Sequence, residues 1–134
     1  MSKFQTFVLV TAAIFLALLW TASAQVPCHI PTPGGQINVF TPGAGTYSKT
    51  SYQAVDWSTN GSVQHVKVCI GQKGTNGGCD NPCFKLIADN VPFGYGTSPT
   101  FQTDFPGSDF FAFVQSDDNL NIWGAGPLFN VAAS

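Results

Sequence analysis

A chain of 134 residues is long enough for one domain, and this one carries only five cationic side chains, all lysine, against seven aspartates, for a formal net charge of −2. With no arginine and so few lysines it has no footprint for a phosphate backbone, which excludes nucleic acid as a partner. Four cysteines in a short chain read as two disulfides and an oxidising compartment.

The chain starts with one positive charge, Lys3, followed by an uncharged apolar run from Phe7 to Trp20. Thr21-Ala22-Ser23-Ala24 then places small residues where a signal peptidase reads, so residues 1–24 are expected to be a signal peptide cleaved after Ala24. The run is short for a spanning helix, which needs ~17–25 residues. The expected mature chain, Gln25 to Ser134, has no second long apolar segment and no lipid-anchor pattern at Phe129–Ser134, so no membrane attachment is expected after cleavage.

Residues 25–35 hold Pro27, Pro31, Pro33, two glycines and Cys28, an irregular arm pinned by its disulfide. Residues 36–134 are expected to form the domain itself. Strands are predicted at 36–40, 51–58, 62–71, 84–88, 100–105, 108–115 and 127–132, with turn residues between them. Asn60-Gly61 is a tight-turn signal, and Asn60-Gly61-Ser62 is also an N-glycosylation acceptor. About seven short strands without any helical period predict an antiparallel β-sandwich.

Alternation assigns the faces. Val66, Val68 and Ile70 share one side of the third strand and must face the core; His65, Lys67 and Cys69 share the other. Phe84 and Leu86 alternate with Cys83 and Lys85, which turns Cys83 outward as well. Either Cys69–Cys83 or Cys69–Cys79 is therefore expected, with Cys28 taking the remaining partner. Val55 and Trp57 point inward, with Tyr52, Ala54 and Asp56 opposite. Residues 109–115 are apolar on both faces, so the second face is either covered by a loop or by the N-terminal arm, or stands exposed as an aromatic patch.

Catalytic chemistry finds little support. No Gly-x-Ser-x-Gly elbow occurs and no cysteine is expected to stay free. Glycoside hydrolysis needs two opposed carboxyl groups, and only Asp56 and Asp109 lie in predicted strands. His29 and His65 are far apart, and a zinc site at Cys79 and Cys83 would require reduced thiolates. The glycine-rich stretch 71–78 fits no phosphate-binding spacing, and Asp117-Asp118-Asn119 reads as a turn that needs no calcium. The reading is a non-enzyme with no cofactor and no metal.

Binding remains. Planar rings stack on the apolar faces of a pyranose while Asn, Gln and Asp bond its hydroxyls. Tyr47, Phe93, Tyr95, Phe105 and Trp123 lie in or beside predicted loops, where they are either exposed ligand rings or plugs for the ends of the sandwich. Phe111 and Phe113 are the corresponding candidates for a flat patch that binds a protein.

Several short segments carry a family likeness. They are Thr41-Pro42-Gly43, Val55-Asp56-Trp57-Ser58, Val66-Lys67-Val68-Cys69-Ile70, Leu86-Ile87-Ala88-Asp89-Asn90-Val91-Pro92, Phe105-Pro106 before Asp109-Phe110-Phe111, and Gly126-Pro127-Leu128-Phe129-Asn130-Val131. In this order they resemble the Kre9/Knh1-like N-terminal domain, a module of fungal cell-wall proteins and Ser/Thr-rich, lipid-anchored surface proteins. The resemblance implies an immunoglobulin- or fibronectin III-like sandwich, a fungal source, and a place in the cell wall or secreted matrix. It also implies a role in β-glucan assembly or wall organisation, and it supplies no catalytic residue set. The chain departs from that pattern in having no Ser/Thr-rich stalk and no anchor signal. The expected partner is wall polysaccharide; the alternative is an effector-like protein that binds an extracellular protein.

Overall fold

The computed structural model describes residues 26–58 and 62–134. The signal peptide expected at 1–24 and the glycosylation acceptor Asn60 lie outside the described residues. Within them the fold is all-β. The strands are β1 (Gly34–Gly35), β2 (Val39–Thr41), β3 (Gly45–Tyr47), β4 (Tyr52–Gln53), β5 (Asp56–Trp57), β6 (His65–Gln72), β7 (Asn81–Pro92), β8 (Phe101–Gln102), β9 (Gly107–Ser116), β10 (Trp123–Ala125) and β11 (Phe129–Val131). A single 3-10 turn, Phe93–Tyr95, follows β7. No helix among the described residues is long and apolar enough to cross a membrane.

Seven strands form one sheet with β9 as its spine. β6 pairs along one side of β9, while β10 and β11 share the other, β10 beside residues 113–115 and β11 beside the start of the strand. β7 lies beyond β6, β1 beyond β10 and β3 beyond β11, the last pairing being parallel. Two short ribbons, β2–β5 and β4–β8, complete the structure.

Sequence pattern explains why β6 and β9 dominate. Val66, Val68 and Ile70 of β6 are fully buried, as alternation required, and they join Phe110, Ala112 and Val114 of β9. Ile37, Val39, Val55, Trp57 and Phe101, from the ribbons and their flanks, close on the same cluster. Two β layers thus share one core. At ~25 cal/mol per Å² of apolar surface removed from water, this burial is the main force holding the layers together. Burial also satisfies polar atoms: Trp57 Nε1–H donates to the Phe93 carbonyl at 2.9 Å, and Thr103 Oγ1 donates to the Ser48 carbonyl at 2.6 Å.

The opposite face of the large sheet carries a second apolar cluster of Cys69, Phe111, Phe113, Trp123 and Ala125, with Ile30 of the N-terminal arm set into it. Of the two alternatives for the apolar far face of 109–115, coverage by the arm is the one realised. Phe111 is 0% exposed and Phe113 2%, so neither forms an exposed patch. Gly71, paired with Phe111, makes this possible, because a Cβ there would run into the Phe111 ring.

The disulfides are Cys69–Cys83 and Cys28–Cys79. Cys69 faces away from the main core, as alternation predicted, beneath the covering layer. Where a sequence reading of β7 by strict alternation would turn Phe84 and Leu86 inward, Leu86 stands opposite Cys69 and is 54% exposed. The ammonium of Lys85 instead lies 5.1 Å from the centre of the core ring Phe105. Register shifts along the β6–β7 pairing cause this, since each extra residue in one strand exchanges the faces beyond it.

The predicted 51–58 strand is broken into β4 and β5, and 100–105 shortens to Phe101–Gln102. β1, β3 and β10 escaped prediction because they are two- or three-residue segments rich in glycine, held by their partners rather than by their own propensity.

Candidate functional site

Burial sorts the seven aromatic candidates. Phe93 is 2% exposed, lies over Trp57 at 6.4 Å between ring centres, and plugs the core beneath the 3-10 turn. Phe105 sits edge-on to Phe110 at 5.0 Å, and Trp123 stacks on Phe113 at 5.8 Å under the arm. Phe111 and Phe113 lie in the same covered layer. Phe93, Phe105, Phe111, Phe113 and Trp123 are therefore structural rings, and their proposal as exposed ligand contacts is corrected. Phe111 and Phe113 are held by their place in β9, whose alternation points them at the second cluster, and Phe93 is carried inward by the 3-10 turn. Tyr47 is half-buried, with its ring edge-on to Phe129 at 5.7 Å and its hydroxyl donating to the Gly43 carbonyl at 2.8 Å.

Of the seven candidates only Tyr95 is a surface ring, at 71% exposure. It ends the 3-10 turn, where Gly96 takes a left-handed φ of 68° and donates its N–H back to the Phe93 carbonyl. That turn drives Phe93 into the core and leaves Tyr95 outside. The ring stands at an open groove of about 410 Å³ that also includes Asp89, Asn90, Thr97 and Ser98. Asn90 holds a left-handed φ of 54° at an irregular step of β7. Thr97 Oγ1 donates to Asp56 Oδ1 at 2.5 Å, and Ser98 Oγ accepts from the Val55 N–H, which fixes that wall to β5.

Asp89 is the one carboxylate among the residues that line the groove. Asp117, at the end of the β9–β10 connection nearest Asp89, has its carboxyl pushed above the ordinary value by burial and by repulsion from Asp89 and Asp118, against the pull of His65 and Lys67. An aromatic face beside amide, hydroxyl and carboxylate oxygens can stack on a sugar ring and bond its hydroxyls.

A second groove of about 320 Å³ lies among Pro33, Ile37, Val39, Phe40, Ala125 and Pro127, with Phe40 54% exposed. Its wall is apolar and offers few polar groups.

No family model, curated protein or solved structure matches the chain.

The two aspartates considered for hydrolysis sit on different strands, which belong to different sheets. Asp56, on β5 of a ribbon, accepts from Thr97; Asp109, at the start of β9, adopts a φ of 61° while its N–H donates to Asn130 Oδ1 at 3.0 Å. Among the described residues no group of three or more His, Cys, Asp or Glu side chains could hold a metal ion.

Sequence reasoning overlooked Tyr52, 68% exposed on β4, and the pair Phe84 and Leu86 on β7. Tyr52 was within reach, since alternation already placed it opposite Val55 and Trp57. Leu86 was not, because nothing in the run Phe84-Lys85-Leu86-Ile87-Ala88 marks where the strand gains a residue.

Proposed function

We propose that the chain is a secreted, non-enzymatic module that associates with cell-wall polysaccharide of the β-glucan class through the Tyr95 groove. The observation that carries this reading is Tyr95 itself: a ring 71% exposed at the lip of a groove lined by Asp89, Asn90 and Thr97. Large rings are normally buried because leaving them in water forgoes their hydrophobic gain, so one left outside beside hydrogen-bonding groups is a candidate contact. Two disulfides suit an extracellular protein. The sheet order β7-β6-β9-β11-β3, with β3 and β11 parallel, supports the immunoglobulin-like reading, and the resemblance to the wall-protein module supports the location.

The test is co-sedimentation of the oxidised protein with insoluble β-glucan, chitin and cellulose. Selective, saturable pelleting with β-glucan is expected, reduced at least tenfold by Tyr95→Ala. That substitution lies on the surface and should leave stability within about 0.5 kcal/mol. Failure of the folded protein to pellet with any polymer would refute polysaccharide binding.

One observation favours a second reading, an extracellular protein partner. Among the described residues β7 pairs only with β6; on that outer strand Leu86 is exposed, and Phe84 is partly exposed while its ring packs 5.5 Å from Phe110. Unpaired strand edges with apolar side chains are a usual template for another chain. If pelleting fails, these residues replace Phe111 and Phe113 as the contact to test.

A further inference from the structure

We propose that the Cys28–Cys79 disulfide is a thiol-reducible latch on the N-terminal arm, whose opening uncovers the aromatic face formed by Phe111, Phe113 and Trp123.

The two disulfides differ in access and in what they hold. Cys28 and Cys79 are both exposed, whereas Cys69 is 0% exposed within the second cluster and its partner Cys83 is half-buried. Thiol attack requires in-line access to a sulfur, so the exposed pair reacts first. Cys69–Cys83 joins β6 to β7, strands that remain hydrogen-bonded without it. Cys28–Cys79 instead ties residues 26–33 to the body of the domain across 51 residues of sequence.

Without that bond the arm has few anchors. Ile30 is its one fully buried side chain among 26–33, and Val26 is half-buried against the same cluster; Pro27, Cys28, His29, Pro31 and Pro33 are exposed. The Ile30 N–H donates to Asp80 Oδ2 at 2.6 Å, the Asp80 N–H donates to the Cys28 carbonyl at 2.8 Å, and the Lys73 ammonium donates to the Ile30 carbonyl. β1 then joins the arm to the sheet through Gly34 and Gly35, and Gly35, at a φ of 90°, packs closely on Trp123, so the arm that can swing is the segment before it. Beneath lie Phe111, Phe113 and Trp123, at 0%, 2% and 8% exposure with the arm in place. Uncovering three such rings creates an apolar surface of the kind that binds partners.

The reductant is a dithiol. Its thiolate attacks the sulfur of Cys28 or Cys79, forming a mixed disulfide and displacing the other cysteine as a thiolate. The second thiol of the reductant then attacks the mixed disulfide and releases the remaining cysteine. Two electrons pass to the protein, the dithiol ends as a cyclic disulfide, and its two protons go to the cysteine thiolates or to solvent.

Graded dithiothreitol on the whole oxidised protein, quenched with iodoacetamide and mapped by peptide mass, tests the latch. Cys28 and Cys79 should be alkylated at least tenfold faster than Cys69 and Cys83. Binding of an apolar fluorescent dye and proteolysis within 26–33 should rise together with that first alkylation. Reduction of both pairs at the same rate, or of Cys69–Cys83 first, overturns the proposal. So does reduction of Cys28–Cys79 with no rise in dye binding, since Ile30 and Asp80 would then hold the arm alone. A Cys28→Ser/Cys79→Ser variant should bind the dye without reductant, and a folded variant that does not would also refute the latch. Should that variant fail to fold, the titration of the unaltered protein decides the matter.

Discussion

At Asp80 three donors converge on one carboxylate: the N–H groups of Ile30 and Gly74 and the ammonium of Lys73, at 2.6, 2.8 and 3.1 Å. Burial opposes its charge, yet the two backbone donors and Lys73 outweigh that penalty and hold the carboxyl below its ordinary value of 3.8. A carboxylate with a depressed pKa in the folded state adds stability that is present above the unfolded value. That stability is lost as pH falls through the lower, folded value. Asp80→Asn should therefore cost about 1–3 kcal/mol at neutral pH, because it weakens charge-assisted bonds at a buried position. The difference between variant and parent should shrink as pH drops below about 4. Urea melts of both proteins at pH 7, 4 and 2.5 measure this, and a gap that does not change with pH would contradict the assignment. Nothing in the sequence singled out Asp80, which sits beside Cys79 and Asn81 like an ordinary turn aspartate. Lys73 and Gly74 belong to the same β6–β7 connection, seven and six residues away, but Ile30 lies 50 positions earlier, and only the fold brings it to Asp80.

At the scale of strands, the contrast between β6 and β7 shows where sequence periodicity stops being informative. In β6 each side chain kept the face that alternation assigned, because both neighbours of the strand, β7 and β9, fix it and its apolar trio has one buried side to occupy. Among the described residues β7 has a neighbour on one side only and absorbs its extra residues there, which turns Leu86 outward and Lys85 toward Phe105. A paired substitution tests that difference. Ile70→Ala, in the core, should cost about 2–5 kcal/mol. Leu86→Ser, by contrast, should stay within about 0.5 kcal/mol. Comparable losses in chemical denaturation would mean that Leu86 is buried and that strict alternation had been right. Much of the candidate site was beyond sequence reasoning for a similar reason. Tyr95 was among the rings proposed, but the sequence could not separate it from Phe93 two residues earlier, because a single 3-10 turn decides which of them faces the core.

For the molecule as a whole, the central sheet is covered on both faces by layers of unequal strength. The main core packs β6, β9 and β11 against both ribbons, while the second cluster is closed by an arm whose one fully buried side chain is Ile30. Every residue of β9 from Phe110 to Ser116 is buried, and strands pair along both its edges. Its amide hydrogens cannot exchange unless the sheet itself opens, so they should report global unfolding. Those of the arm should exchange by a local opening of much lower free energy. Hydrogen exchange followed by mass spectrometry should therefore rank β9 and β6 slowest and residues 26–33 fastest, with β7 divided between them. In β7 the N–H groups directed at β6 should be protected, while those on its free edge exchange within the time expected of solvated backbone. Uniform protection along β7 would mean that another strand occupies the edge in solution, and the protein-partner reading would then displace the polysaccharide one. Fast exchange at the edge together with slow exchange in β9 would keep β7 unpaired and leave the Tyr95 groove as the surface to explain binding.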